Sequence, residues 1–145
     1  MKHRILIAFL LIIFLTGCDE SYHFNKDQLK KALFTCLNND DLKGLMFSDS
    51  LTNKTSHFHL YGNGSLSDSL KIDHRVYYVN KGSGNIHKDS ILVYKLTYKN
   101  EKTASIYLLY QPGHGFRIVS QCDFVFYHDE WKLEHRTNGI MDGRF

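Results

Sequence analysis

An alternation of period two begins near residue 55 and runs almost to the end of the chain. It constrains the fold more than any other feature. A β-strand sends successive side chains to opposite faces, so such alternation marks segments with one buried face. The cleanest case is 91–98 (ILVYKLTY), where Leu92, Tyr94, Leu96 and Tyr98 share one face and Lys95 and Thr97 the other. The same reading predicts strands at 55–61, 70–79, 103–110, 116–127 and 131–135. Turn-forming residues separate them, among them Gly62-Asn63-Gly64, Asn100-Glu101-Lys102 and His128-Asp129-Glu130. In the long segment 116–127, Ile118, Cys122, Phe124 and Phe126 fall on one face. Residues 137–145 read as a polar tail.

Upstream the period changes. Leu29, Leu33, Cys36 and Leu37 recur at helical spacing, and Asn25 with Gln28 three residues on is the pattern of a reciprocal N-terminal cap. This predicts a helix over 26–38. Asn39-Asp40-Asp41 breaks it and caps a shorter helix carrying Leu42, Leu45 and Met46 on one face. Each helix must bury its apolar stripe, and the sheet offers one apolar face. The expected architecture is therefore α+β, with two N-terminal helices packed on a curved antiparallel sheet of five to six strands.

Composition must be read after removing the N-terminus. The 145-residue chain has a formal charge of +3 and is 43% hydrophobic, which excludes a disordered chain. Met1 to Arg4 is basic, and 5–15 (ILIAFLLIIFL) is an unbroken apolar run. That is the layout of a secretory signal, and the run is shorter than the ~20 residues a membrane-spanning helix needs. Leu15-Thr16-Gly17-Cys18 resembles the bacterial lipobox. The resemblance implies cleavage before Cys18, diacylglyceryl transfer to its sulfur and acylation of the new amine by a fatty acid such as palmitate. It divides the chain into a signal peptide (1–17), a lipidated tether (18–24) and an α+β domain (25–145). A mature protein of this kind is anchored to the cell membrane, on its periplasmic or extracellular side. Asp19 resembles the inner-membrane retention signal of enterobacterial lipoproteins, while the acidic run Asp19-Glu20 is also similar to a surface-export signal of Bacteroidetes lipoproteins. With Lys2 and Arg4 gone, 16 basic residues face 15 acidic ones, a balance that gives no ground for nucleic-acid binding.

Of the three cysteines, Cys36 and Cys122 remain once Cys18 carries lipid. The cell envelope permits disulfides. Cys36 lies on the apolar stripe of the first helix and Cys122 on the apolar face of the long strand. Those faces should meet, which favours a Cys36–Cys122 disulfide; two buried free thiols are the other reading.

The stretch 33–49 (LFTCLNNDDLKGLMFSD) resembles the start of NTF2-like domains, and 123–133 (DFVFYHDEWKL) is similar to their closing hairpin with its Trp-Lys pair. Cystatin-like folds share this plan of a helix on a curved sheet. The resemblance implies either a plain binding module or a small enzyme whose base sits between helices and sheet.

Few residues offer chemistry. His57 and His59, two apart on a strand, point to one face, with His74 or His114 as conceivable third ligands; no acidic or Cys partner stands at ligand spacing, so no metal and no cofactor is expected. Asp123, Tyr94 and Tyr107 are the pieces an NTF2-like enzyme would draw on, but Asp123 is expected on the outer face, away from any buried site. No catalytic motif and no catalytic residue is identified. Tyr and Trp enrich binding surfaces, which makes Tyr94, Tyr107 and Trp131 the candidate surface for a ligand or protein partner. The sequence thus points to a membrane-anchored, non-catalytic binding module, of which an immunity or inhibitor lipoprotein is one specific form. A small NTF2-like enzyme and a structural accessory of an envelope complex are the alternatives.

Overall fold

A computed structural model describes residues 22–48, 56–82, 90–112 and 116–142. The signal segment 1–17, Cys18, Asp19 and His114 lie outside the described residues.

Helix α1 (Lys26–Leu37) opens on the expected reciprocal cap. The Asn25 side chain accepts from the Gln28 amide at 2.8 Å, and the Gln28 side chain accepts from the Asn25 amide at 3.0 Å. Its stripe of Leu29, Ala32, Leu33, Cys36 and Leu37 is buried. Asn39 caps α2 (Asp40–Met46) by accepting from the Leu42 amide, and α2 buries Leu42 and Met46.

Seven strands follow: β1 (His57–Gly62), β2 (Asp68–Ile72), β3 (Arg75–Lys81), β4 (Ser90–Asn100), β5 (Thr103–Pro112), β6 (Phe116–Tyr127) and β7 (Glu130–Asp142). They form one curled sheet in the order β2-β3-β1-β4-β5-β6-β7. This corrects the expected fold. The chain is α+β only in a coarse sense: it is mostly sheet, has seven strands instead of five to six, and carries only two short helices. Nor is the sheet antiparallel throughout, since β1 lies between β3 and β4 and runs parallel to both. The NTF2-like or cystatin-like plan does not describe it.

Each difference has a local cause. The expected strand 70–79 is two strands, because the chain reverses at Asp73-His74 with Asp73 at φ 55°. Aspartate tolerates this left-handed region better than most residues, so the turn needs no Gly or Pro. The supposed polar tail is the second half of β7, which pairs with β6 as far as Asp142. Its polarity is that of an edge strand, and its Asn138 is fixed by donating to the Asn39 side chain at 2.9 Å. A bulge opposite Asp123 and Phe124 inserts Glu134 and shifts the alternation by one, hiding the strand's period.

The inner face of the sheet carries Leu60, Tyr77, Leu92, Ile106, Ile118 and Cys122, all buried against the helices. At the α2 end, the Arg75 guanidinium sits 3.6 Å from the centre of the Phe47 ring, and Phe47 leans on Phe58.

Two glycines are needed where the chain leaves β1. A Cβ on Gly62 would stand 2.1 Å from the Tyr94 ring, and one on Gly64 would stand 2.5 Å from the Tyr94 hydroxyl. Tyr94 packs against bare backbone there. Gly62→Ala is expected to destabilise the domain by about 1–3 kcal/mol through overpacking. Gly44→Ala, in α2 with nothing within 4 Å of the added carbon, should stabilise it by up to about 1 kcal/mol. Urea unfolding of both variants checks the contrast; equal effects would contradict it.

Candidate functional site

The concave face of the sheet is filled. Leu33, Cys36, Leu60 and Ile106 have essentially no exposed surface, so α1 occupies the space where a pocket between helices and sheet would lie. Cys36 and Cys122 meet inside this core as free thiols within hydrogen-bond reach of one another. Burial, first, pushes the Cys36 thiol up. The hydrogen bond with Cys36, helped by Arg136, pulls Cys122 down against its own burial. Arg136 also donates to the Thr35 carbonyl of α1 at 2.6 Å, and so ties β7 to the same turn of the helix.

The three aromatic positions expected to share a surface are in three different places. Tyr94 is buried on the inner face, where desolvation raises its pKa. Tyr107 stands half-exposed on the outer face, its hydroxyl 4.0 Å from the Met141 sulfur of β7. Trp131 is buried at the β6–β7 end, stacked on Phe24 at 4.4 Å between ring centres and flanked by Phe126 and Tyr98. Beside it, α1 and the β6–β7 hairpin enclose a cleft of about 430 Å³ lined by Gln28, Lys31, Thr35, Trp131 and Leu133, among others. The indole N–H of Trp131 meets no acceptor among the described residues.

Asp123 lies on the outer face, where the alternation places it. It accepts from the Ser105 hydroxyl, from the Gln121 amide at 3.0 Å and from Lys99 at 3.0 Å. The Ser105 hydrogen bond does most to hold its carboxyl below the ordinary value, with Gln121 and Lys99 adding to it against a desolvation cost. His135 is its cross-strand neighbour on β7. These bonds tie three strands, β4, β5 and β6, into one polar knot.

A third arrangement lies on the outer face, toward solvent. On the outer face, the rings of His57, Tyr78, His59 and Tyr61 stack in a continuous run. Their centres are 6.0 Å apart from His57 to Tyr78, 5.4 Å from Tyr78 to His59 and 6.3 Å from His59 to Tyr61. His57 and His59 are exposed and Tyr78 is 40% exposed. The parallel register of β1 and β3, which sets His59 beside Tyr78, makes the run possible. It leads to a groove of about 550 Å³ beyond the ends of β1 and β3, lined by Tyr61, Gly62, Asn63, Lys81, Val93 and Tyr94. Asn63 fixes this corner by bonding both the amide and the carbonyl of Leu96.

The sequence shows the His57–His59 pair but not its setting. Tyr78 enters only through strand pairing between segments some twenty residues apart, for which no local pattern exists. The histidine rings stack on tyrosines, His74 sits in the β2–β3 turn, and among the described residues no three His, Cys, Asp or Glu side chains gather at metal-binding spacing. No helix among the described residues is long and apolar enough to cross a membrane. Compared with family models, curated proteins and solved structures, the chain matches none.

The Asp123 knot yields a prediction with a definite sign. Its pKa is lowered on folding, so its contribution is present above the ordinary carboxylate value and is lost as pH falls through the lowered one. Asp123→Asn should cost about 1 kcal/mol at pH 7, where a charged acceptor and its bonds are removed. The cost should shrink at pH 2–3. Urea unfolding at both pH values measures it, and a cost that does not fall with pH would contradict the assignment.

Proposed function

We propose that this chain is a membrane-anchored envelope lipoprotein whose domain is a non-catalytic module that binds a protein partner on its outer face. One observation carries the reading: the apolar stripe of α1 is packed on the concave face of the sheet, while the stacked rings of His57, Tyr78, His59 and Tyr61 face outward and end in a groove. An enzyme of this size needs a recessed site with a tuned ionisable group. Here α1 packs against the concave face, and Asp123 lies on the outer face, bound by Ser105, Gln121 and Lys99. Exposed tyrosines beside an apolar groove are what protein contacts use, because the ring supplies area at low entropic cost while its polar tip stays wet.

The anchor rests on the sequence before the domain. Cys18→Ala should leave an unlipidated precursor that no longer fractionates with the membrane; unchanged retention and mass would overturn it. For the binding surface, a photo-crosslinking amino acid at Tyr78 should capture one discrete protein in intact cells. The same probe at Tyr107 should not, and Tyr61→Ala should abolish capture. Equal capture at both positions would contradict the surface.

We propose in addition that Cys36 and Cys122 are joined in the mature protein. Each thiol gives up one proton and one electron, and the electron pair passes to an envelope thiol oxidant bearing a disulfide, before the core closes. The bond would then staple α1 to β6 across a long loop, worth up to about 4–5 kcal/mol in the chain-entropy model. Mass analysis without reductant should find the chain lighter by two hydrogens and its 36 and 122 peptides linked; two alkylatable thiols in the freshly unfolded protein would overturn the bond.

A further inference from the structure

The described chain begins at Tyr22, and it is already held there. Tyr22 packs on Phe126 at 4.8 Å between ring centres, Phe24 stacks on Trp131, and the Phe24 amide donates to the Tyr98 hydroxyl at 2.9 Å. The N-terminal segment is therefore fixed to one end of the sheet, where the β4–β5 and β6–β7 turns lie together. The Phe126 amide donates to the Lys102 carbonyl at 2.7 Å, joining the two turns. Three residues lie between Cys18 and Tyr22, which makes four Cα–Cα steps. At full extension they reach about 14 Å. Phe116 and Tyr127 are eleven steps apart along β6, a span of about 36 Å at 3.3 Å each. The leash is far shorter than the domain, so a lipid at Cys18 would leave the domain little choice of orientation.

What this end presents suits a lipid interface. The β6–β7 turn reverses in two residues, with His128 at φ 50° and Asp129 at φ 61°. It projects Tyr127, 58% exposed. The Lys132 ammonium lies 5.6 Å from the Tyr127 ring centre. A tyrosine beside a lysine, each with an apolar body and a polar end, is the pairing found at headgroup level. Lys99, Lys102 and Lys132 are offset by Glu101, Asp129 and Glu130, so the contact does not depend on anionic lipid.

We infer that the β6–β7 hairpin end of the domain rests on the bilayer surface, with Tyr127 at the headgroup level. The inference rests on lipid attachment at Cys18, proposed above. It has a consequence for the partner surface. In the β1–β4 register, Leu60 pairs with Leu92, which places His59 about nine residues along β4 from its Asn100 end. That is roughly 30 Å from the membrane, where a partner has free access to the ring run.

The test uses the lipidated chain, purified from membranes and reconstituted in phosphatidylethanolamine–phosphatidylglycerol vesicles with brominated acyl chains. Tyr127→Trp and Phe116→Trp are compared, each in the Trp131→Phe background. The inference expects tryptophan at 127 to be quenched and tryptophan at 116 to be untouched. As a second measurement that leaves Trp131 in place, amide exchange of 126–131 in the native chain should slow in vesicles relative to detergent, with no change at 116–118. Intact mass identifies the lipid first. A chain without lipid at Cys18 overturns both the anchor and this orientation. A lipidated chain quenched equally at both positions, or at neither, with no slowing at 126–131, overturns the orientation alone.

Discussion

The structure depends on one packing interaction, the apolar stripe of α1 laid into the concave face of the sheet. Leu29, Leu33, Cys36 and Leu37 are almost fully removed from water there. Each large apolar side chain so buried is worth about 1.5–3 kcal/mol. The polar contacts at the margins are weaker. Lys30 with Asp68 and Lys43 with Asp40 and Asp73 are surface pairs, worth about 0–1 kcal/mol each. Their role is to fix register: they set α1 against β2 and α2 against the β2–β3 turn, while Arg136 and Asn138 tie the same segment to β7. Without the stripe, the sheet would expose an apolar face and the N-terminal segment would lose its seat on the aromatic end.

That packing bears on the binding role proposed above. A helix that fills the concavity leaves little volume inside for a substrate. What remains for recognition is the outer face and the two ends. The long edge strand β7 is interrupted by the Glu134 bulge and carries Lys132, Glu134 and Arg136, features that discourage edge-to-edge pairing. The ring run lies on β1 and β3, which are paired on both sides, so it presents side chains and no free strand edge. It is also remote from the end where the chain leaves toward Cys18.

Much of this was legible locally. The Asn25–Gln28 cap, the α1 stripe and the inward face of Leu92 and Tyr94 follow from spacing alone, because a helix or strand with one buried face must repeat at its own period. What was not legible is non-local. Asp73 turns the chain without Gly or Pro, so two strands read as one. Glu134 shifts the alternation, so β7 read as a strand followed by a tail. The parallel insertion of β1 between β3 and β4 follows from no pattern in either segment, and with it went the sheet order and the place of Tyr78. The surface preference of tyrosine and tryptophan groups Tyr94, Tyr107 and Trp131 by residue type alone; burial depends on which strand face meets the helices, and it separates them.

The claim that α1 is an integral part of the core is tested most directly by native-state amide hydrogen exchange. If the stripe closes the concave face as described, the amides of Leu33 to Leu37 should open only in global unfolding, with the same free energy as those of Ile118 to Phe124 on β6. If the helix amides exchange through a local opening of much lower free energy than β6, the interior is accessible, and the account of a closed module that works through its outer face is wrong.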